Sequence, residues 1–195
     1  MIVVSFFCVD VETCPVDLEG ALKMDEEERK KLLNPIDSKI VAIGVKEEGK
    51  EAVVLLDDSE AVMLREYWEK LAAFKKSFPY GKIVGFNLKN FDLPVLVTRS
   101  FIHNVKVVPF LLKEIVDLRE SLSVFKYGHV RGKLKEYASF IGIKTMDGMD
   151  GSKVAEACKK GEYKKIGEYL KKDLEITEEI YKRAKSLRIT EIQRW

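Results

Sequence analysis

Four acids and one phenol in this chain have the types and spacings of a reaction centre. They are Asp10 and Glu12 in "FFCVDVET", Asp92 in "GFNLKNFD", and Tyr169 and Asp173 in "YLKKD". Side chains of a strand alternate faces, so Asp10 and Glu12, two apart after an apolar run, point the same way. On the last amphipathic stretch, counted from Ile166 at about 100° per residue, Tyr169, Leu170, Leu174, Ile176, Ile180 and Tyr181 share one apolar arc. Lys171, Lys172, Glu175, Glu178 and Glu179 take the opposite arc, the one expected to face solvent. Asp173 falls about 20° from the centre of the apolar arc, with Tyr169 one turn before it.

Each acid taken alone has an ordinary reading. Asp10 and Glu12 could end a strand in solvent, Asp92 could cap a helix, and Asp173 could pair with a buried Arg. Their placement together argues for more. Asp92 follows a strand, at the same sheet end as Asp10 and Glu12 if the two strands are parallel neighbours, and such ends are where open α/β sheets do chemistry. Four inward acids repel one another and are costly to take out of water, so they call for cations. Oxygen donors with no His or Cys cluster beside them suit Mg²⁺ or Mn²⁺. Two such ions roughly 3.5–4 Å apart form the clamp of in-line phosphoryl displacement.

The elements that would position these residues can be read from the chain. "MIVVSFFCVD" reads as a strand buried on both faces and ending at the acids. The charged "LEGALKMDEEERKKLLNP" reads as a short helix over a sheet edge, inside a short acidic insertion at about 14–38, longer than a minimal connection and expected to cover the cleft and restrict substrates. Strands over 39–46 and 51–56, joined by "EEGK", form an antiparallel hairpin. "SEAVMLREYWEKLAAFKKSF" has helical spacing with Ser59 as its N-cap, and "GKIVGFN" is a fourth strand. "DLPVLVTRSFIHN" is a helix with Asp92 at its start and Pro94 in its first turn, and a fifth strand lies within 106–117. Helices over about 132–141, 152–159 and 162–187 finish the chain. The order implies one domain over 1–195: an α/β fold with a mixed five-stranded sheet flanked by helices.

Composition bounds the partners. Residues 1–125 carry 17 Lys/Arg and 21 Asp/Glu, a balance of −4, and residues 126–195 carry 17 and 11, a balance of +6. A basic half beside an acidic centre suits a polyanion, although a Lys-rich helix face in solvent gives the same count. No apolar run is long enough to span a bilayer, so no membrane association is expected. Cys8, Cys14 and Cys158 have no metal-ligand spacing and leave one thiol unpaired, which fits the reducing cytoplasm.

In order along the chain, "FFCVDVET", "GFNLKNFD" and "YLKKD" resemble the three motifs of the DEDD superfamily of 3′–5′ exonucleases. The tyrosine four residues before the last acid resembles the tyrosine branch, as in the proofreading domain of family B DNA polymerases. The length, with "MDGMDGSKV" ahead of the last helix, resembles the stand-alone exonucleases related to that domain. The resemblance implies a ribonuclease H-like fold and a hydrolase of phosphodiester bonds at a single-stranded 3′ end, DNA more than RNA. It implies two Mg²⁺ or Mn²⁺ ions, held by Asp10, Glu12, Asp92 and Asp173, and release of nucleoside 5′-monophosphates. It also implies that Tyr169 orients the attacking water, that Thr13 and Asn87 lie near the terminal nucleotide, and that Phe91 packs beneath the site.

Other residues have quieter readings. Asp117 caps a helix or adds a fifth acid, Ser152 caps the helix after it, and Phe6, Phe7 and Cys8 fill the core. His103 and His129 lie at the surface, and Lys126, Arg131 and Lys133 are candidates for strand contacts. Two other function classes fit the same acids: a non-catalytic nucleic-acid-binding module on the same fold, and a metal-dependent phosphohydrolase of small nucleotides.

Overall fold

The computed structural model describes residues 5–124, 132–146 and 148–192. Met1 to Val4 of the expected first strand, Lys126, His129, Arg131 and Asp147 lie outside the described residues. Strand β1 (Phe6–Pro15) leads into two short helices, α1 (Leu18–Ala21) and α2 (Glu26–Lys31), and then into the hairpin β2 (Ser38–Glu47) and β3 (Val53–Leu55). Helix α3 (Glu60–Ser77), β4 (Lys82–Gly85), α4 (Asp92–Ile102) and β5 (Ile115–Asp117) follow. Beyond them come α5 (Leu118–Leu122), α6 (Leu134–Phe140), α7 (Val154–Lys159) and α8 (Tyr163–Ser186).

The five strands make one mixed sheet in the order β3-β2-β1-β4-β5. The hairpin sits at one edge, antiparallel to β1, while β1, β4 and β5 run parallel. This is the α/β architecture expected from the strand and helix pattern. β1 is central, and its apolar run is what a strand covered on both faces requires. Phe7, Val9 and Val11 pack with Leu64, Trp68 and Leu71 of α3 and Leu96 of α4. Phe6 and Cys8, on alternate positions, pack with Leu174, Ile176 and Ile180 of α8. Among the described residues, no helix is long and apolar enough to cross a membrane.

The elements differ from expectation in places that matter for the site. β1 does not end at Asp10. It continues to Pro15 because β2 stays paired with it as far as Ser38, whereas β4 pairs only with Phe6–Cys8. The charged stretch after it forms two helices, each capped by an aspartate: Asp17 accepts from Gly20 N at 2.9 Å and Asp25 from Glu28 N at 2.8 Å. Ser59 stands at the N-cap of α3 but makes no capping bond. Instead Glu60 turns inward, accepting from Ile40 N at 2.6 Å and Arg99 Nε at 2.9 Å. Glu178, expected in solvent, is buried on α8, where Lys46 of β2 and Lys182 each approach it at 3.1 Å. The Lys46 ammonium, itself nearly buried, supplies the counter-charge that burial demands.

Candidate active site

The overrun of β1 past β4 opens the crevice. Asp10 and Glu12 stand where β1 has a partner on one side only, opposite Gly44 and Ala42 of β2. The register shifts between Glu12 and Thr13, a bulge of the kind that re-aims side chains beside functional sites. Asp92 enters from the other side as the first residue of α4, and it is buried. Its Oδ1 accepts from Val11 N at 2.9 Å, and Asp10 Oδ1 accepts from the same group at 3.2 Å. One β1 amide therefore sets two carboxylates.

The turn that delivers Asp92 is braced from β5. Buried Asp117 accepts from Asn87 N at 3.0 Å and Lys89 N at 2.9 Å while capping α5 through Arg119 N at 3.0 Å. Asn87 has φ +64, a left-handed conformation that Asn tolerates better than most residues. Asp117 is thus a brace behind the turn, which agrees with its capping role.

The third stretch arrives on α8, and a glycine sets how closely. A Cβ on Gly44 would lie 2.7 Å from Leu174 Cδ1 and 2.8 Å from Leu170 Cγ. Its absence lets α8 press onto β2 with Asp173, between those leucines, aimed at Asp10 and Glu12. Carboxylate oxygens of Asp10, Glu12 and Asp173 all lie within 4.8 Å of one another. Asp10, Glu12, Phe91, Asp92, Tyr169 and Asp173 line a common cavity of about 180 Å³. Lys135 of α6 holds its ammonium 4.6 Å from the Tyr169 ring centroid and bonds the carbonyls of Met146, at 3.4 Å, and Met149.

Charge is held here against its preference. Burial, and then the carboxylates of Asp92, Glu12 and Asp173, push Asp10 well above the usual range. Burial with Asp173 and Asp92 beside it pushes Glu12 up to about 8, and burial pushes Asp92 up to about 7. Asp173 is raised by burial, with the Tyr169 hydroxyl and Lys135 partly offsetting it. The Tyr169 phenol is raised by burial and by the neighbouring acids. Asp173 Oδ1 is buried with no hydrogen-bond partner among the described residues, an orphan that costs free energy unless a cation meets it. A cluster of mutually repelling carboxylates with one orphaned oxygen fits hard divalent cations bound through oxygen.

The sequence-derived residues do not all converge. Asp10, Glu12, Phe91, Asp92, Tyr169 and Asp173 share the cavity. Thr13 lines an adjoining groove. Asn87 lines neither of these. Its Oδ1 accepts from Arg119 Nη1 at 3.1 Å, and Arg119 in turn lines the groove. Lys133, named as a strand contact, is on that groove as well. Phe86, Leu134, Thr177 and Lys135 escaped the sequence reading. Thr177 was legible one turn after Asp173 on the same face, but nothing local marked Lys135, whose place depends on α6 crossing α8. His103 is also not a plain surface residue: its Nε2 lies 2.9 Å from Glu60 Oε2. Phe6, Phe7 and Cys8 are buried in the core, and burial pushes the Cys8 thiol up. Asp150, not Ser152, caps the turn before α7, accepting from Ser152 N at 2.9 Å.

Comparison with known proteins places the chain among relatives. It is 38% identical over 160 residues to an uncharacterized protein, MJ0365, of Methanocaldococcus jannaschii, covering 77% of this chain and 88% of that one. Its fold is similar to the family B DNA polymerase of the hyperthermophilic archaeon Pyrobaculum calidifontis, with a TM-score of 0.69 at 18% identity. That match covers 96% of this chain but 25% of the polymerase, so the chain spans about a quarter of the polymerase's length. Residues 31–114 and 111–191 match a family described as a predicted 3′-5′ exonuclease related to the exonuclease domain of PolB. The matched residues include Asp92, Tyr169 and Asp173 and begin after Asp10 and Glu12. The chain belongs to this family of predicted exonucleases related to the exonuclease domain of PolB.

Proposed function

We propose that the protein is a metal-dependent 3′–5′ exonuclease that hydrolyses the terminal phosphodiester of a single nucleic-acid strand, DNA in preference to RNA, and releases nucleoside 5′-monophosphates. The observation that carries this reading is the meeting of Asp10, Glu12 and Asp173 oxygens within 4.8 Å, with Asp173 Oδ1 buried and without a partner among the described residues. Asp10, Glu12, Asp92 and Asp173 would hold two Mg²⁺ or Mn²⁺ ions. When bound, such ions make a nearby water more acidic and neutralise charge gathering on the scissile phosphate.

The chain's own groups do the positioning. The Val11 amide fixes Asp92 before anything binds, so little ordering is left for the moment of reaction. Tyr169, with its phenol raised further above an already high value, keeps its proton and orients the attacking water as a hydrogen-bond partner. Lys135 over its ring fixes that orientation and adds positive charge near Glu12 and Asp173. Phe91, and Phe86 and Leu134 beside it, give the terminal nucleotide an apolar seat that excludes bulk water. Thr13 and Asn87 border the path of the strand, Thr13 directly and Asn87 through Arg119.

Asp10→Asn and Asp173→Asn test the reading on a 5′-labelled oligonucleotide with Mg²⁺ or Mn²⁺. Each is expected to lose at least about a thousandfold in rate, with a ladder of products shortened from the 3′ end in the parent chain. Unchanged degradation by the purified variants would remove these acids from the reaction. Cleavage of mononucleotides alone would point to a small-nucleotide phosphohydrolase, and salt-sensitive binding without cleavage to a binding module.

A further inference from the structure

The cavity at the acids continues into a groove of about 620 Å³, because Phe86, Leu134, Tyr169 and Asp173 line both. One wall of this groove comes from the start of α6, with Lys133 and Lys135, and from Ser152 and Ala155 near α7. The other wall comes from the connection between β1 and β2, through Arg29 and Lys30 on α2 and Leu33 just after it. The family match begins at residue 31, so most of α2 lies outside the matched residues.

This second wall is built, not draped. Asp25 and Glu28 close a reciprocal cap at the start of α2, with bonds of 2.8 and 3.4 Å. Beyond its end, Asn34 Nδ2 donates to Lys31 O at 2.8 Å and Asp37 Oδ2 at 2.7 Å, and Ser38 Oγ donates to Leu32 O at 2.6 Å. Val16 N then donates to Asp37 O at 2.8 Å, tying the two ends of the connection together. Lys30 is spent on Glu26 and Glu27 along the helix, at 3.1 and 2.9 Å. Arg29 is half-buried on the groove, and Leu33, though large and apolar, is 52% exposed at its wall. Glu26, paired with Lys30, and Asp150, bonded to Ser152 N, line the groove too. Arg29 on one wall and Lys133 and Lys135 on the other still leave cations beside an apolar lining, a mix that matches the phosphates and bases of a nucleic-acid strand.

We propose that α2 and the turn after it form the second wall of a single-strand clamp, in which Arg29 holds a phosphate and Leu33 packs on a base upstream of the scissile bond. The clamp rests on the exonuclease reading for its direction: the 3′ end lies at the acids and the preceding nucleotides run between α2 and α6. It assigns the connection a substrate role: one strand fits between two walls, and a duplex does not.

The test uses the full chain with Arg29→Ala, Leu33→Ala, both together, and Arg29→Lys. With Mn²⁺ present, two probes separate the clamp from the chemistry: the p-nitrophenyl ester of thymidine 5′-monophosphate, which needs only the acids, and a 5′-labelled oligothymidylate. The double variant is expected to lose about tenfold or more in kcat/KM on the oligonucleotide, while its rate on the ester stays within about twofold. In Ca²⁺, fluorescence anisotropy of the same oligonucleotide reads binding alone. There Arg29→Ala is expected to flatten the slope of log K against log salt by about 0.7, Arg29→Lys to restore it, and duplex to bind more weakly than single strand. Equal losses on ester and oligonucleotide, an unchanged salt slope, or equally tight duplex binding would overturn the clamp. If the parent chain cleaves neither probe, the exonuclease reading fails on its own, and the anisotropy slope still decides for or against Arg29.

Discussion

The acids at the centre of the site repel one another, and that repulsion is measurable without any substrate. Burial holds Glu12 at about 8 and Asp92 at about 7, so from about pH 4 upwards the folded chain binds more protons than the unfolded one. The stability these groups contribute is therefore present at acid pH and lost as pH rises through their folded values. Glu60, Glu114 and Asp150 are shifted the other way, and their contributions change only at lower pH. The thermal midpoint of the metal-free protein is expected to fall between about pH 5.5 and about pH 8.5, and Glu12→Gln to flatten that fall. Saturating Mg²⁺ should stabilise most at the upper end, where the ligands are ionised. A metal-free midpoint that climbs over the same range would contradict the raised carboxyls. Lys135 gives a second residue-scale prediction. Lys135→Met keeps most of the packing over Tyr169 but removes the charge, and should lower kcat about tenfold with KM for the oligonucleotide changed far less. Equal changes in both would assign Lys135 to strand binding instead.

At the scale of elements, the site depends on how closely α8 lies on the sheet. Gly44 is the contact that allows it, since any side chain there meets Leu170 and Leu174 at under 3 Å. Gly44→Ala adds one carbon to a packed interface, at a cost of about 1–3 kcal/mol. It also displaces Asp173 from Asp10 and Glu12 without touching an acid, so activity should fall by roughly tenfold to a hundredfold. Thermal melts and metal-dependent rates on the same variant check both parts; full activity would show that α8 is seated by other contacts. β1 teaches a related lesson. Its length follows from pairing with β2 as far as Pro15, and the crevice exists because β4 stops pairing after Val84. Neither stopping point is written in β1 itself.

Across the molecule, the face of the sheet covered by α3 and α4 is locked by an ion pair well away from Asp10, Glu12 and Asp173. Glu60 joins α3, β2 and α4: its carboxylate takes bonds from Ile40 N, from Arg99 Nε and from Arg99 Nη2. Burial opposes its charge, yet these donors hold the carboxyl below its ordinary range. Glu60→Ala leaves Arg99 buried without its partner and should cost about 3–5 kcal/mol. Specific activity well below the new melting temperature should be unchanged, because Arg99 lies about two turns along α4 from Asp92, which the Val11 amide holds independently; loss of activity without loss of stability would contradict this division.

Local rules carried the identity of the site a long way. Period two put Asp10 and Glu12 on one face, and period 3.6 put Asp173 and Tyr169 on the buried face of the last helix, because side-chain direction in a regular element follows from its repeat alone. The order of strands and helices likewise fixed an α/β fold with a hairpin edge, since connections between neighbours are short. Distance between stretches far apart in the chain has no such local source. That Asp92 and Asp10 share the Val11 amide, that Lys135 covers Tyr169, and that α2 walls the groove depend on where strands stop pairing and how helices cross. Those are settled by packing of the whole chain, where one missing Cβ at Gly44 decides whether the last acid reaches the first two.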